Sequence, residues 1–271
     1  MRGIDHTCST RWAFDHGFVD KACPMDLTWC INEKRDVVMR QRGEPNPKAT
    51  SLRLWQKKPL TLYYAPWDWM NTRAQVVLVG ITAGGTQAKN ALREARQCLQ
   101  DGMPTEEVLR RADAVGSFSG AMRSRLTTGL NRIGLAKALR IPASASLFSM
   151  EHQGLLGTAS AIGFPMFIDG KNYNGQNGPR LLTDPTLLSL VRAYLGAKLD
   201  MARGAVVLPL GKVATAAVQR LIDTDLLKAN RCVRGFPHPS PQNGHYWPQL
   251  EEREADLKRQ LSSALRAVAK V

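Results

Sequence analysis

The chain has 271 residues, 44% of them hydrophobic, and carries 37 lysines and arginines against 23 aspartates and glutamates for a formal net charge of +14. That length suits one large α/β domain, or one domain with an extension; the basic excess is high for an enzyme of a small anionic metabolite and points to a polyanion, of which nucleic acid is the commonest. No run approaches the roughly 20 apolar residues of a membrane span, and charges interrupt the N-terminus where a signal peptide needs an apolar core, so a cytoplasmic protein without a membrane partner is expected.

Residues 1–60 read as an irregular extension packed on a main domain of residues 61–271. Pro24, Pro45, Pro47 and Pro59 punctuate the extension, while Trp12, Phe14, Phe18, Trp29 and Trp55 argue against disorder throughout it. Cys8, Cys23 and Cys30 lie near His6 and His16, but without the close cysteine pairs of a zinc site. With Cys98 and Cys232 they make too few and too scattered a set for a disulfide framework. No metal and no cofactor are expected.

The main domain opens with a β-branched apolar run, Gln75 to Val79, that suits a strand covered on both faces. A glycine-rich turn follows, Gly80-Ile81-Thr82-Ala83-Gly84-Gly85, and then a helix to about Leu99. Strand, glycine turn and helix together make a phosphate cradle, though neither a G-x-G-x-x-G nor a P-loop is present. Helical periodicity recurs over Thr105 to Ala114 and Ala121 to Leu139. Between them Gly116-Ser117-Phe118-Ser119-Gly120 frames one aromatic, which is either packing or a surface for stacking a base. Ser146 to Phe148 reads as a short strand, and Gly157 to Ile162 as a loop or short helix. Phe164 to Ile168 is a short strand running into the turn-rich Asp169 to Gly175, where Asn172 offers an amide, donor and acceptor together, at a strand end. A helix over Thr186 to Ala202, a buried strand over Val206 to Leu210, a helix over Val213 to Ile222 and a short strand at Arg231 to Val233 lead to the stiffest loop of the chain. That loop, Gly235 to Gly244, holds three prolines around His238, which it presents in a fixed direction. A last helix from about Tyr246 carries Leu250, Leu257, Leu261, Leu265 and Val268 on one stripe. Acids are missing from 114–150 and from 226–250, the stretches that hold Arg123, Arg125, Arg132, Lys137 and Arg140 and the His238 loop.

Two motifs carry a resemblance to the uracil-DNA glycosylase superfamily. Val79-Gly80-Ile81-Thr82-Ala83-Gly84 looks like its first motif, a strand followed by Gly-x-(Asn or Asp)-Pro-Gly, and His238-Pro239-Ser240-Pro241 matches its second. Gln242-Asn243 resembles the single-strand-selective monofunctional branch, and Leu210-Gly211-Lys212-Val213-Ala214 is similar to the turn that commonly precedes the second motif. Over residues 60–271 the resemblance implies a three-layer α/β/α sandwich with a central, mostly parallel sheet. It also implies a monofunctional DNA glycosylase that flips out a modified pyrimidine and leaves an abasic site in duplex DNA, with no cofactor and no obligate protein partner. His238 is then the donor to the leaving base. Gly80, Ile81, Ala83, Gly84, Gly85, Phe118 and Asn172 form the base pocket, with Asn172 reading the base and Phe118 stacking on it. Ser240, Pro241, Gln242, Asn243, Lys212 and Arg123 contact DNA.

The chain departs from the family pattern in its first motif. Thr82 stands where an Asn or Asp holds the attacking water, and a neutral hydroxyl is no effective base near neutral pH, so its implied role is to position water. Ala83, Gly84 and Gly85 leave no bulky guard beside the pyrimidine C5. This favours a large 5-substituted base such as α-glucosyl-hydroxymethylcytosine in phage DNA, an anti-phage activity, over uracil or another deaminated base. Two other classes remain: a DNA-binding module that kept the fold without turnover, and a nucleotide hydrolase using the Gly80 turn.

Overall fold

The computed structural model describes residues 31–41 and 43–269. In chain order its elements are α1 (Ile31–Arg40), β1 (Arg53–Lys57), β2 (Leu60–Tyr63), β3 (Val76–Gly80), α2 (Gly85–Gln100), α3 (Thr105–Gly116), α4 (Ala121–Arg132), α5 (Leu135–Leu139), β4 (Leu156–Ser160), β5 (Met166–Ile168) and β6 (Lys171–Asn172). There follow α6 (Pro185–Leu190), a π-helical segment (Val191–Gly196), α7 (Ala197–Met201), β7 (Val206–Pro209), α8 (Gly211–Asp223) and α9 (Tyr246–Val268). The chain is mixed α/β and divides into two compact units. The first comprises the described part of Met1–Met70 with Ile81–Ser117 and Ser160–Met201; the second comprises Asn71–Gly80, Phe118–Ala159 and the described part of Ala202–Val271.

In the first unit four strands form an antiparallel sheet in the order β1-β2-β5-β6. Two of them come from, or border, the stretch expected to be irregular. Prolines and an exposed, charged β1 hide a hairpin whose apolar positions, Leu60 and Leu62, are buried at its second strand. Helix α2 forms because Ala88, Ala91, Leu92, Ala95 and Leu99 recur on one buried face. Helix α3 carries Glu106 and Glu107 in its first turn, where the helix dipole favours acids. The extension is tied to α2 by Glu44, whose carboxylate meets Lys89 Nζ and an Arg93 guanidinium nitrogen, each at 2.6 Å. These two cations hold the exposed Glu44 carboxyl down at about 2. Arg96 adds hydrogen bonds to the carbonyls of Gln41 and Gly43.

The second unit is built on a parallel three-stranded sheet, β4-β3-β7. Val76 pairs with Val206 and Leu78 with Leu208, and all four belong to a core completed by Leu126 and Leu130 of α4 and by Phe236, Tyr246, Leu250, Leu257 and Leu261. Val77, Val79 and Val207, on the alternate face, are equally buried. A strand covered on both faces reads as a continuous apolar run, as the sequence of β3 does.

Several local expectations are corrected. The helix expected over 121–139 breaks at Gly134, which takes φ +85° and separates α4 from α5. Ser144–Phe148 is a 3-10 turn and not a strand. Leu156–Ser160, expected as loop or helix, is strand β4; its Gly, Thr, Ala and Ser make poor local signals, and its pairing with β3 decides its conformation. The strand expected at 231–233 reduces to one isolated parallel bridge, Val207 with Cys232, and a second bridge follows outside it, Leu210 with Phe236. The expected helix over 186–202 is present, but with the π-helical segment in its middle.

Gly116 marks where α3 meets α2. A Cβ there would lie 2.7 Å from that of Ala91 and 2.9 Å from Trp67 Cζ2, whereas one on exposed Gly154 would meet nothing within 4 Å. Gly116→Ala should therefore destabilise the protein by about 1–3 kcal/mol, and Gly154→Ala by less than about 0.5 kcal/mol, read as shifts of the urea unfolding midpoint.

Candidate functional site

The candidate residues fall on two segments, each described within its own unit. In the first unit the turn after β3 is organised by Thr82. Its hydroxyl donates to the Phe164 carbonyl at 2.8 Å and accepts from the Met166 amide at 3.0 Å, tying the turn to the start of β5. The Ile162 amide bonds the Ile81 carbonyl at 3.1 Å, and Ala83 is buried. The Thr82 proton is thus committed to a backbone oxygen, and one hydroxyl lone pair is left over.

Asn172, at the end of β6, turns its side chain back on α2. Its Oδ1 accepts from the Gly85 amide at 3.0 Å, and the Gln87 side chain accepts from the Gly84 amide at 3.4 Å. Two donors of the expected anion cradle are therefore already engaged within the protein. A Cβ on Gly84 would lie 3.2 Å from Asn172 Nδ2, and one on Gly85 would lie 3.6 Å from the Phe167 ring. The missing side chains at 84 and 85 make room for the asparagine and the phenylalanine.

In the second unit the His238 loop hangs from the end of β7. The Gly211 amide bonds the Phe236 carbonyl at 2.8 Å, and Gly211 adopts φ +85°, a left-handed conformation that side chains resist. A Cβ at 211 would stand 2.7 Å from that of His238, so the imidazole lies against a bare backbone. Pro237 and Pro239 are buried on either side of it. The Ser240 amide donates to His238 Nδ1 at 3.3 Å. With Nδ1 an acceptor, the ring proton of the neutral imidazole sits on Nε2. Burial lowers the pKa of His238 below its ordinary value, which keeps the ring neutral near pH 7. Asn243 Nδ2 donates to the His238 carbonyl at 3.0 Å, and the Asn243 amide to the Ser240 carbonyl at 2.9 Å. Ser240 Oγ is hydrogen-bonded to the Gln242 side chain.

The remaining predicted positions scatter. Gly80 is half-buried at the end of β3, Lys212 is exposed at the start of α8, and Pro241 and Gln242 are exposed at the loop tip. Arg123 lies with its guanidinium 4.3 Å from the Phe148 ring centroid. Phe118 has φ +53° and only 8% of its surface exposed, with its ring in the core beside Leu126 and Leu130, so the packing reading of this residue applies.

No family model and no solved structure matches the chain. One relative does: the Bacillus subtilis (strain 168) protein named "Uncharacterized protein YoxB" is 37% identical over 213 residues, covering 78% of this chain and 82% of that protein. The chain belongs to the YoxB family.

In this YoxB-family chain the geometry adds residues that the sequence reading missed. Gly211 stood in the sequence only as part of the turn that resembles the one before the second motif, although a glycine between a buried strand and a helix is a signal for positive φ. Arg125 was counted among the basic residues; its side chain instead holds the carbonyls of Pro241 and Asn243. Among the described residues no group of three or more His, Cys, Asp or Glu is arranged to hold a metal, and no helix is long and apolar enough to cross a membrane. The histidines and cysteines of the first 30 residues lie outside the described residues. Cys98 and Cys232 are buried, and burial is the main cause that pushes both thiols up to about 11, so they stay protonated and unreactive near pH 7.

The His238 geometry has a direct spectroscopic signature. Its NMR titration should fall below the ordinary value near 6.5, with the neutral ring protonated at Nε2. Because the folded-state pKa is depressed, the associated stability is present above about pH 6.5 and lost as pH falls through the folded-state value. A midpoint at or above that of a free histidine would contradict the assignment.

Proposed function

We propose that this protein is a monofunctional DNA glycosylase that removes a modified pyrimidine from duplex DNA. The observation that carries the reading is the state of His238: a neutral imidazole, seated on Gly211, with Nδ1 occupied by the Ser240 amide and Nε2–H left to donate. Cleavage of the bond from base to sugar sends its electron pair to the base, and negative charge collects at the pyrimidine O2. A fixed Nε2–H donor stabilises that charge without giving up its proton, and the sugar is left oxocarbenium-like. Water adds to the anomeric carbon and loses a proton to solvent. Such a carbon needs only a weak nucleophile. The resemblance assigns water positioning to Thr82, whose hydroxyl keeps one lone pair after its two backbone bonds and does not act as a base.

The resemblance assigns base recognition to Asn172. With Oδ1 on the Gly85 amide, its Nδ2 is the group available to a base edge. Phe118, as a core residue, has no part in this reading. With the activity goes the three-layer sandwich of the uracil-DNA glycosylase superfamily, to which the parallel sheet β4-β3-β7 is the supporting element. The absence of any side chain larger than methyl at Ala83 to Gly85 supports a bulky 5-substituted base such as α-glucosyl-hydroxymethylcytosine, and with it an anti-phage role. The second reading, excision of uracil or another deaminated base, is favoured by the packing of Asn172 and Phe167 into the space beside Gly84 and Gly85.

Duplexes carrying uracil or glucosylated hydroxymethylcytosine, incubated with the protein and analysed by mass spectrometry of released bases, separate the two substrates. His238→Ala should slow release by about 10²–10³-fold, the usual effect of removing one preorganised donor, while DNA binding persists. Asn172→Ala should weaken release of the same base. Binding without release from either duplex would leave a DNA-binding module and reject the enzyme.

A further inference from the structure

We propose that Arg125 and Tyr246 form a latch that fixes the Ser240–Asn243 loop and, through it, the ring of His238. Arg125 thereby becomes a positioning residue for the reaction proposed above, on which its catalytic consequence rests.

The loop after His238 pairs with no strand, and prolines at 237, 239 and 241 remove backbone donors from it. Arg125 supplies donors from α4: one guanidinium nitrogen bonds the Pro241 carbonyl at 3.3 Å and the other the Asn243 carbonyl at 2.8 Å. The guanidinium rests 4.8 Å from the centroid of the Tyr246 ring, within cation–π range. The Tyr246 hydroxyl in turn donates to the Arg125 carbonyl at 3.0 Å. Side chain, ring and backbone thus close a circuit between α4 and the start of α9.

The circuit is built into the core. Tyr246 is fully buried, and Gly129, one helical turn beyond Arg125, leaves the space it occupies. A Cβ on Gly129 would overlap the Tyr246 hydroxyl and come within 2.8 Å of Phe236 Cζ. Positions i and i+4 of one helix therefore divide the work, Arg125 gripping the loop and Gly129 admitting the tyrosine. Lysine cannot reproduce this grip, since a compact ammonium lacks the planar fork that spans two carbonyls.

The gripped residues are those that set the imidazole. Asn243 bonds the His238 carbonyl by its side chain and the Ser240 carbonyl by its amide, and the Ser240 amide bonds Nδ1. Releasing the Pro241 and Asn243 carbonyls frees this set, and the Nδ1 acceptor bond that defines the tautomer loses its support. His238 then gains solvent.

The test reads the loop directly in the full-length protein by NMR. In Arg125→Ala, amide exchange at Ser240 and Asn243 should rise by about tenfold or more as the loop opens locally, and the His238 midpoint should move up toward about 6.5. Arg125→Lys keeps the charge and Tyr246→Phe keeps the ring; both should give smaller changes in the same direction, and they serve if Arg125→Ala does not fold. Folded variants with wild-type exchange and wild-type titration would overturn the latch. On a DNA from which the protein releases a base, Arg125→Ala should lower kcat at least about tenfold with KM little changed; a loss confined to KM would make Arg125 a DNA contact and remove the positioning role. Failure of the wild-type protein to release any base would reject the glycosylase reading and leave the NMR outcome to decide the latch.

Discussion

Gly211 has to be glycine for two separate reasons, and the second unit's candidate chemistry depends on both. The chain leaves a buried parallel strand and enters a helix within one residue, which requires the left-handed backbone at φ +85°. The His238 side chain then occupies the volume that a Cβ would take. The bond from the Gly211 amide to the Phe236 carbonyl and the bridge from Leu210 to Phe236 bring the segment that leads into His238 alongside the end of β7 before either contributes a side chain. Imidazole placement is therefore a property of the sheet, inherited from the buried Val206–Pro209 strand, and not of the proline-rich loop alone. The prolines stiffen what the sheet has already located.

Charge has a similar double use. The stretch without acids between Asp113 and Glu151 reads in sequence as a basic surface for a polyanion. In the folded chain Arg125 grips loop carbonyls, Arg132 meets Glu254 at 2.6 Å, and Arg123 stacks on Phe148. Guanidinium suits such posts because it offers planar donors and a stackable face at little desolvation cost. The formal charge of +14 remains a long-range attraction for a polyanion, but it does not identify the arginines that would touch one.

What was legible in the sequence follows the strength of local pattern. Strands β3 and β7 are continuous apolar runs, and α9 shows its stripe; Leu250, Leu257 and Leu261 are buried as that stripe requires, with Leu265 and Val268 partly buried beside them. Strand β4 was not legible, because Leu-Gly-Thr-Ala-Ser carries little β preference and owes its state to a partner far away in sequence. The β1–β2 hairpin was hidden by an exposed, basic first strand. Among the candidate residues, His238 stood out because its prolines announce a constrained position. Arg125, Tyr246 and Gly129 did not, since an arginine, a tyrosine and a mid-helix glycine become one device only after α4 and α9 are packed together.

The first motif shows the opposite limitation, a pattern whose departures from a resembled family invite a functional explanation before a structural one. Small residues at 84 and 85 suggest space for a ligand, yet Asn172 and Phe167 already stand next to them. Thr82 suggests a weakened water site, yet its hydroxyl bridges a carbonyl and an amide, a pair of bonds that asparagine could match only with a longer reach and that an ionised aspartate, having no donor, could not make. The turn and the β5–β6 hairpin are thus fitted to one another, so Thr82, Gly84 and Asn172 form one coupled set. Changing any of them alone perturbs its neighbours within the first unit. The exposed member of that fitted set is Asn172, with Thr82 and Gly84 half-buried behind it.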